Sequence, residues 1–168
     1  RSPYETIEYI LMSRMLPNTI LDKYRQICID LIQDDDSDSI EQMNDDVLHY
    51  HKFNQKYSKD IKTGVYQNLC LLSILYNPNE GVLVQWVDET ITLMLKNWNL
   101  SRFLSNREHL PILAEASPNS FLTFIEELPK NILDNIFTPH KYSFSLGGWN
   151  IFYAELLFAL EILAWDEN

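Results

Sequence analysis

Apolar side chains return every three or four positions in segment after segment of this chain, and no run alternates convincingly between apolar and polar. That spacing is the period of an α-helix with one face turned to a core, so the chain reads as all-α. The only β-like run, Val82-Leu83-Val84, lies inside a helical stripe. Punctuation between the stripes supports the same reading. Ser2-Pro3-Tyr4-Glu5 opens a first helix, with Ser2 as N-cap, Pro3 at the first helical position and Glu5 completing a capping box. Ile7, Ile10, Leu11 and Met15 follow at helical spacing until Leu16-Pro17 stops them. Asn18 or Thr19 is the expected cap of a second helix carrying Leu21, Tyr24, Cys28, Leu31 and Ile32.

An acidic connection, 34–46, holds seven acids and no base, and a weaker helical pattern covers Ile40 to Phe53. Ser58 can cap a helix to about Tyr76 with Ile61, Val65, Leu69, Leu72, Ile74 and Leu75 as its core side. The next runs from Glu80 to about Trp98 on Val82, Leu83, Trp86, Val87, Thr90, Ile91, Met94 and Leu95. Ser105-x-x-Glu108 reads as a second capping box ahead of a helix over His109 to Ala116, in which Pro111 fits only the first turn. Ser117-Pro118 opens another to Leu128, closed by Pro129, and Asn131 to Phe137 adds a short piece before a loop, 138–149. The last and most apolar helix is Ile151 to Trp165.

The expectation is therefore a single all-α domain over 1–168, built of about eight antiparallel helices. Short connections fit either an α-solenoid-like array or an irregular helical bundle. No repeat of fixed period is visible, so the solenoid option rests on helix spacing and on the terminal helix. That helix is apolar almost all round, with only Glu155 and Glu161 about 120° apart, and should be buried on most sides. It stands three residues from Asn168, and the chain begins at Arg1 without a methionine. The expectation that follows is a fragment of a larger protein, with more chain or a second copy packing on the terminal helix. No secretory signal pattern is present, and the apolar stretch is shorter than the roughly 20 residues a bilayer requires. The reading is cytoplasmic, with no membrane partner.

Charge narrows the partners. Thirteen bases against 24 acids leave a net charge of −11, the wrong sign for a nucleic acid, whose phosphates call for a basic patch. The two cysteines, Cys28 and Cys70, lie on apolar stripes and read as buried thiols rather than a disulfide framework, a metal site or a nucleophile. Asp34, Asp36, Asp38 and Asp45 fall at positions 1, 3, 5 and 12 of a calcium-type loop, whose alternate carboxylates would supply oxygens to the ion. Ser39 replaces the glycine of the sharp turn, Asp45 the bidentate glutamate, and Glu41 an apolar anchor, so a plain acidic loop is preferred. A small calcium- or metal-responsive domain using 34–45 remains the alternative function.

Other groups carry less. Asp45 and His49 share a helix face, but His51 points about 160° away from His49 and no third zinc ligand is in sight. His109 and His140 have no partner that spacing identifies. Glu126-Glu127, and Glu155 with Glu161, are carboxylate pairs of the kind acid–base chemistry uses, though salt bridging or solvation is preferred. A hydrolase would need Glu155, Glu161 and His140 around one pocket. Gly147-Gly148 fits no phosphate cradle, so no cofactor is expected. Gly64, inside a helix, points to close helix–helix approach. Trp86, Trp98, Trp149 and Trp165 read as core, Trp149 least clearly. Lys52, Lys56, Lys59 and Lys62 form a basic strip that can dock an acidic partner but more simply pairs with the acidic connection.

Three stretches, taken together, carry a family likeness. They are His51-Lys52-Phe53-Asn54-Gln55-Lys56-Tyr57-Ser58-Lys59-Asp60-Ile61-Lys62-Thr63-Gly64, then Leu110-Pro111-Ile112-Leu113-Ala114-Glu115-Ala116-Ser117-Pro118 with Phe121-Leu122 and Ile125-Glu126, then Tyr153 to Trp165. In that order they resemble a helical region toward the C-terminus of very large bacterial proteins that look like STAND-type NTPases and are associated with defence against phage. The likeness covers roughly residues 45–168. It implies a regulatory or ligand-sensing helical array beside an effector or ATPase, and it carries over no catalytic, cofactor or metal residue. The expected function is a non-enzymatic helical interaction or sensor segment whose partner is protein, either another domain of the same chain or a protein ligand, with self-association through the terminal helix.

Overall fold

A computed structural model of the chain describes residues 17–34, 56–74, 82–137 and 153–166. Every regular element among them is helical, and a helical bundle describes their packing. The expected helices near 2–16 and 40–53, the acidic connection beyond Asp34 and the loop 138–149 lie outside the described residues.

Helix α1, Asn18–Ile32, takes Asn18, an expected cap, as its first residue. Pro17 is the N-cap, extended at φ −62° and ψ 145°, and its carbonyl accepts from the amides of Ile20 (2.9 Å) and Leu21 (3.3 Å). Its buried stripe is Leu21, Cys28, Leu31 and Ile32, with Tyr24 half-buried. Helix α2, Lys59–Ile74, has the expected Ser58 at its head, where the hydroxyl accepts from the Ile61 amide at 3.4 Å. Its buried face keeps the expected Leu69 and Leu72, with Val65 half-buried beside them, but is rotated away from Ile61 and Ile74, while Leu75 lies outside the described residues. Lys62, Tyr66, Leu69, Cys70 and Leu72 point inward, while Ile61 is 52% and Ile74 61% exposed. The buried Lys62 ammonium finds its acceptors in the core, and the Tyr66 ring packs edge to face on His109, so these two side chains set the rotation of the helix. Close approach at Gly64 is also overturned, because a Cβ built there meets nothing within 4 Å.

Helix α3, Val82–Leu95, buries Trp86, Val87, Thr90, Ile91, Met94 and Leu95 as expected but stops short of Trp98. Asn97 takes a left-handed conformation, φ 57°, and turns the chain out of the helix. Trp98 then folds back, its indole N–H donating to the Met94 carbonyl at 2.8 Å. The following helix, α4 (Leu100–Asn106), is not among the expected ones. Asn99 caps it, accepting from the Arg102 amide at 2.8 Å. Ser105 therefore lies inside a helix and does not open one.

A 3-10 turn, Arg107–His109, leads into α5, Leu110–Ala116, with Pro111 in its first turn. Then come α6 (Pro118–Glu127), α7 (Lys130–Phe137) and α8 (Ala154–Asp166). The short α5 is the hub of the packing, touching α2, α3, α6 and α8, and its Leu110, Leu113 and Ala114 are fully buried. One apolar core takes residues from all of these helices. Around it the directions are mixed. Tyr24 meets Val65 while Asp34 meets Lys62, so α1 and α2 run antiparallel. Asp88 meets Ser117, Thr92 meets Ser120 and Trp98 meets Phe124, so α3 and α6 run parallel.

Candidate functional site

The most polar part of the interior joins the end of α1 to the start of α2 and the end of α4. Helix α1 leaves orphan carbonyls at its C-terminus, where a cation is favoured. Lys62, fully buried, donates from Nζ to the Asp34 carbonyl at 2.8 Å and to Asn106 Oδ1 at 3.4 Å, and lies 3.4 Å from Asp34 Oδ2. Asn106 Nδ2 donates to the carbonyls of Ile32 (3.1 Å) and Arg102 (3.0 Å). The Asp34 carboxylate in turn accepts from the amides of Lys56 (2.9 Å) and Tyr57 (3.0 Å), just ahead of α2. Each charge thus sits at the helix end that its sign suits.

Beside this network the rings of Tyr66 and His109 meet edge to face, 5.2 Å between centroids. The Tyr66 hydroxyl and His109 Nδ1 are buried without a hydrogen-bond partner among the described residues. Burial, with Lys62 nearby, pushes His109 down to about 4, and burial raises the Tyr66 hydroxyl. The neutral imidazole and phenol pack as core rings. Lys62 and His109 were readable only in part: Lys62 shares a stripe with Tyr66 and Leu69, but nothing local marks the lysine as buried.

The residues singled out in sequence fall apart in space. Asp34 is engaged within the chain as described, while Asp36, Asp38, Asp45, His49, His51, His140, Gly147, Gly148 and Trp149 lie outside the described residues. Among the described residues no three of His, Cys, Asp or Glu converge as a metal set would. Cys28 and Cys70 are free and buried, and burial pushes their thiols up to about 12 and about 11. Glu126 and Glu127 are exposed, Glu155 is half-buried and Glu161 is exposed. Of the basic strip, Lys62 meets Asp34 as expected, but Lys59 pairs with Glu108. Trp86 and Trp98 are core, whereas Trp165 is 73% exposed.

Two surfaces stand out among the described residues. A groove of about 380 Å³ runs between α3 and α6, with Leu93, Lys96, Phe124 and Glu127 along it. Its hydroxyls are already committed: Thr92 donates to Ser120 Oγ at 3.0 Å and Ser120 to the Asp88 carbonyl at 3.3 Å.

The second surface is α8. Leu156, Ala159 and Leu163 pack inward, and the helix lies against α5. On the opposite side Leu157 is 48%, Phe158 56% and Trp165 73% exposed, in line with exposed Ala154, Glu161 and Ala164. At 100° per residue these six positions occupy a stripe about 120° wide, with Glu161 near its centre. The terminal helix is therefore buried on one face rather than on most sides. Its low amphipathicity was legible in sequence, but which apolar residues stay outside was not. Compared with known protein families, with curated proteins and with solved structures, the chain finds no match.

Proposed function

We propose that the chain is a non-enzymatic helical interaction or sensor segment of a larger cytoplasmic bacterial protein, and that it works by docking protein on the outer face of α8. One observation carries the reading: Leu157, Phe158 and Trp165 are exposed in line along one face of the helix, around Glu161, directly opposite the face that packs on the core. Scattered exposed leucines are ordinary, whereas an aligned Leu, Phe and Trp on one helix is the composition of an interaction surface. The resemblance of the stretches 51–64, 110–126 and 153–165 to the helical region of large bacterial proteins that look like STAND-type NTPases of phage defence supports the same assignment. In that setting the helices form part of a solenoid-like array, and docking shifts the population of a neighbouring effector or ATPase domain.

The test is site-specific photo-crosslinking in cells that make the full protein natively. A photoreactive residue at Phe158 should yield discrete protein adducts, and one at exposed Leu122 on α6 should not. The adducts should vanish when Leu157 and Trp165 are both changed to Ser. Identical patterns at the two positions, or adducts indifferent to those changes, would refute a docking role for α8.

A further inference from the structure

We infer that the occupant of the α8 face is a cationic amphipathic helix of another protein, with a Lys or Arg placed opposite Glu161; this rests on reading that face as the docking surface. The stripe runs from Ala154 to Trp165, about 17 Å along the axis at 1.5 Å per residue. Exposed Ala154 begins it and Ala164 and Trp165 end it, with Leu157, Phe158 and Trp165 as its large apolar contacts. Such a strip suits a helix laid along it, whose apolar residues recur at i, i+3, i+4 and i+7.

Glu161 decides the chemistry of that helix. It stands in the middle of the stripe, and it has neither an ion-pair nor a hydrogen-bond partner among the described residues. A wholly apolar partner would strip water from that carboxylate and return nothing, which is costly for an ion. A second copy fares worse. Two such stripes centred on each other in antiparallel pairing bring the two Glu161 carboxylates within about one helical turn, like charge against like. Residues 153–166 contain no base to relieve them, only the acids Glu155, Glu161 and Asp166. The net charge of −11 adds attraction for a basic partner at longer range. A lysine or arginine opposite Glu161 turns the liability into a charge-assisted hydrogen bond at the centre of the contact.

The experiment uses two labelled helix-forming peptides of about 18 residues, titrated by fluorescence anisotropy at physiological salt. They have the same leucine face and the same polar face, differing only at the middle of the leucine face, which carries Lys in one (Leu/Lys) and Glu in the other (Leu/Glu). The chain should bind the Leu/Lys peptide and not the Leu/Glu peptide. Glu161→Lys and Phe158→Ser should each weaken Leu/Lys binding at least tenfold, with melting temperatures unchanged. Glu127→Lys, an equal charge change on α6, should leave it within twofold. Equal weakening by Glu127→Lys, or none by Glu161→Lys or Phe158→Ser, would overturn the inference by reducing binding to bulk charge. So would a dimer of the chain alone that Phe158→Ser dissolves, since the occupant would then be a second copy. If crosslinks form at position 158 while the peptides are not discriminated, the cationic partner falls and the docking surface stands. Loss of both removes the surface as well.

Discussion

Gly64 lies on the solvent side of α2 with open space where a side chain would begin. Mid-helix glycine costs roughly 0.5–1 kcal/mol against alanine, mostly through the entropy of the unfolded chain. Gly64→Ala should therefore raise stability by about that amount, read as a higher urea midpoint at unchanged slope. His109 has the opposite character, being buried, neutral and held down at about 4 by desolvation. Its folded value is below the unfolded value of about 6.5, so its contribution is intact above pH 6.5 and is lost as pH falls toward 4. Unfolding free energy should drop by up to about 3 kcal/mol between pH 7 and 4 from this group alone. Measured by urea unfolding at several pH values, that decline should flatten in His109→Phe above pH 5. Neither residue was fully legible in sequence. Gly64 looked like a packing device because a helical glycine normally needs a reason, and His109 looked partnerless because Tyr66 is 43 positions away in the chain.

At the level of elements, Lys62 ties α1, α2 and α4 together through Asp34 and Asn106. Removing one partner of a buried ion pair strands the other, at a cost of roughly 3–5 kcal/mol. Lys62→Ala should lower stability by about that much, and a double-mutant cycle with Asp34→Asn should show strong coupling, which an additive result would contradict. The helices themselves were mostly readable. Ser58, Pro118 and Pro129 mark boundaries where they were expected, because caps and prolines act on the residues beside them. The differences arise where one local signal competes with another. Ser105 and Glu108 have capping-box spacing, yet Asn99 starts the helix six residues earlier. The stripe of α3 runs on through Trp98, yet Asn97 in a left-handed conformation ends it, and the tryptophan caps a carbonyl instead.

Across the molecule, α5 is where the packing converges, and its Leu113 is wholly buried against several helices at once. Leu113→Ala should cost about 2–5 kcal/mol. Because α8 leans on α5, hydrogen exchange in α8 should accelerate in that variant before exchange in α1 does; uniform acceleration would mean that α8 unfolds only with the whole. Among the described residues, helical class and most helix positions were already present in the order of residues, since period, caps and breakers operate within a turn or two of the chain. The parallel run of α3 and α6, the inward turn of Lys62 and Tyr66, and the central place of a seven-residue helix were settled by contacts between distant segments. The same holds for α8. Its sequence is apolar nearly all round, so only packing on α5 determined that Leu156, Ala159 and Leu163 lie inside and that Leu157, Phe158 and Trp165 face outward around Glu161.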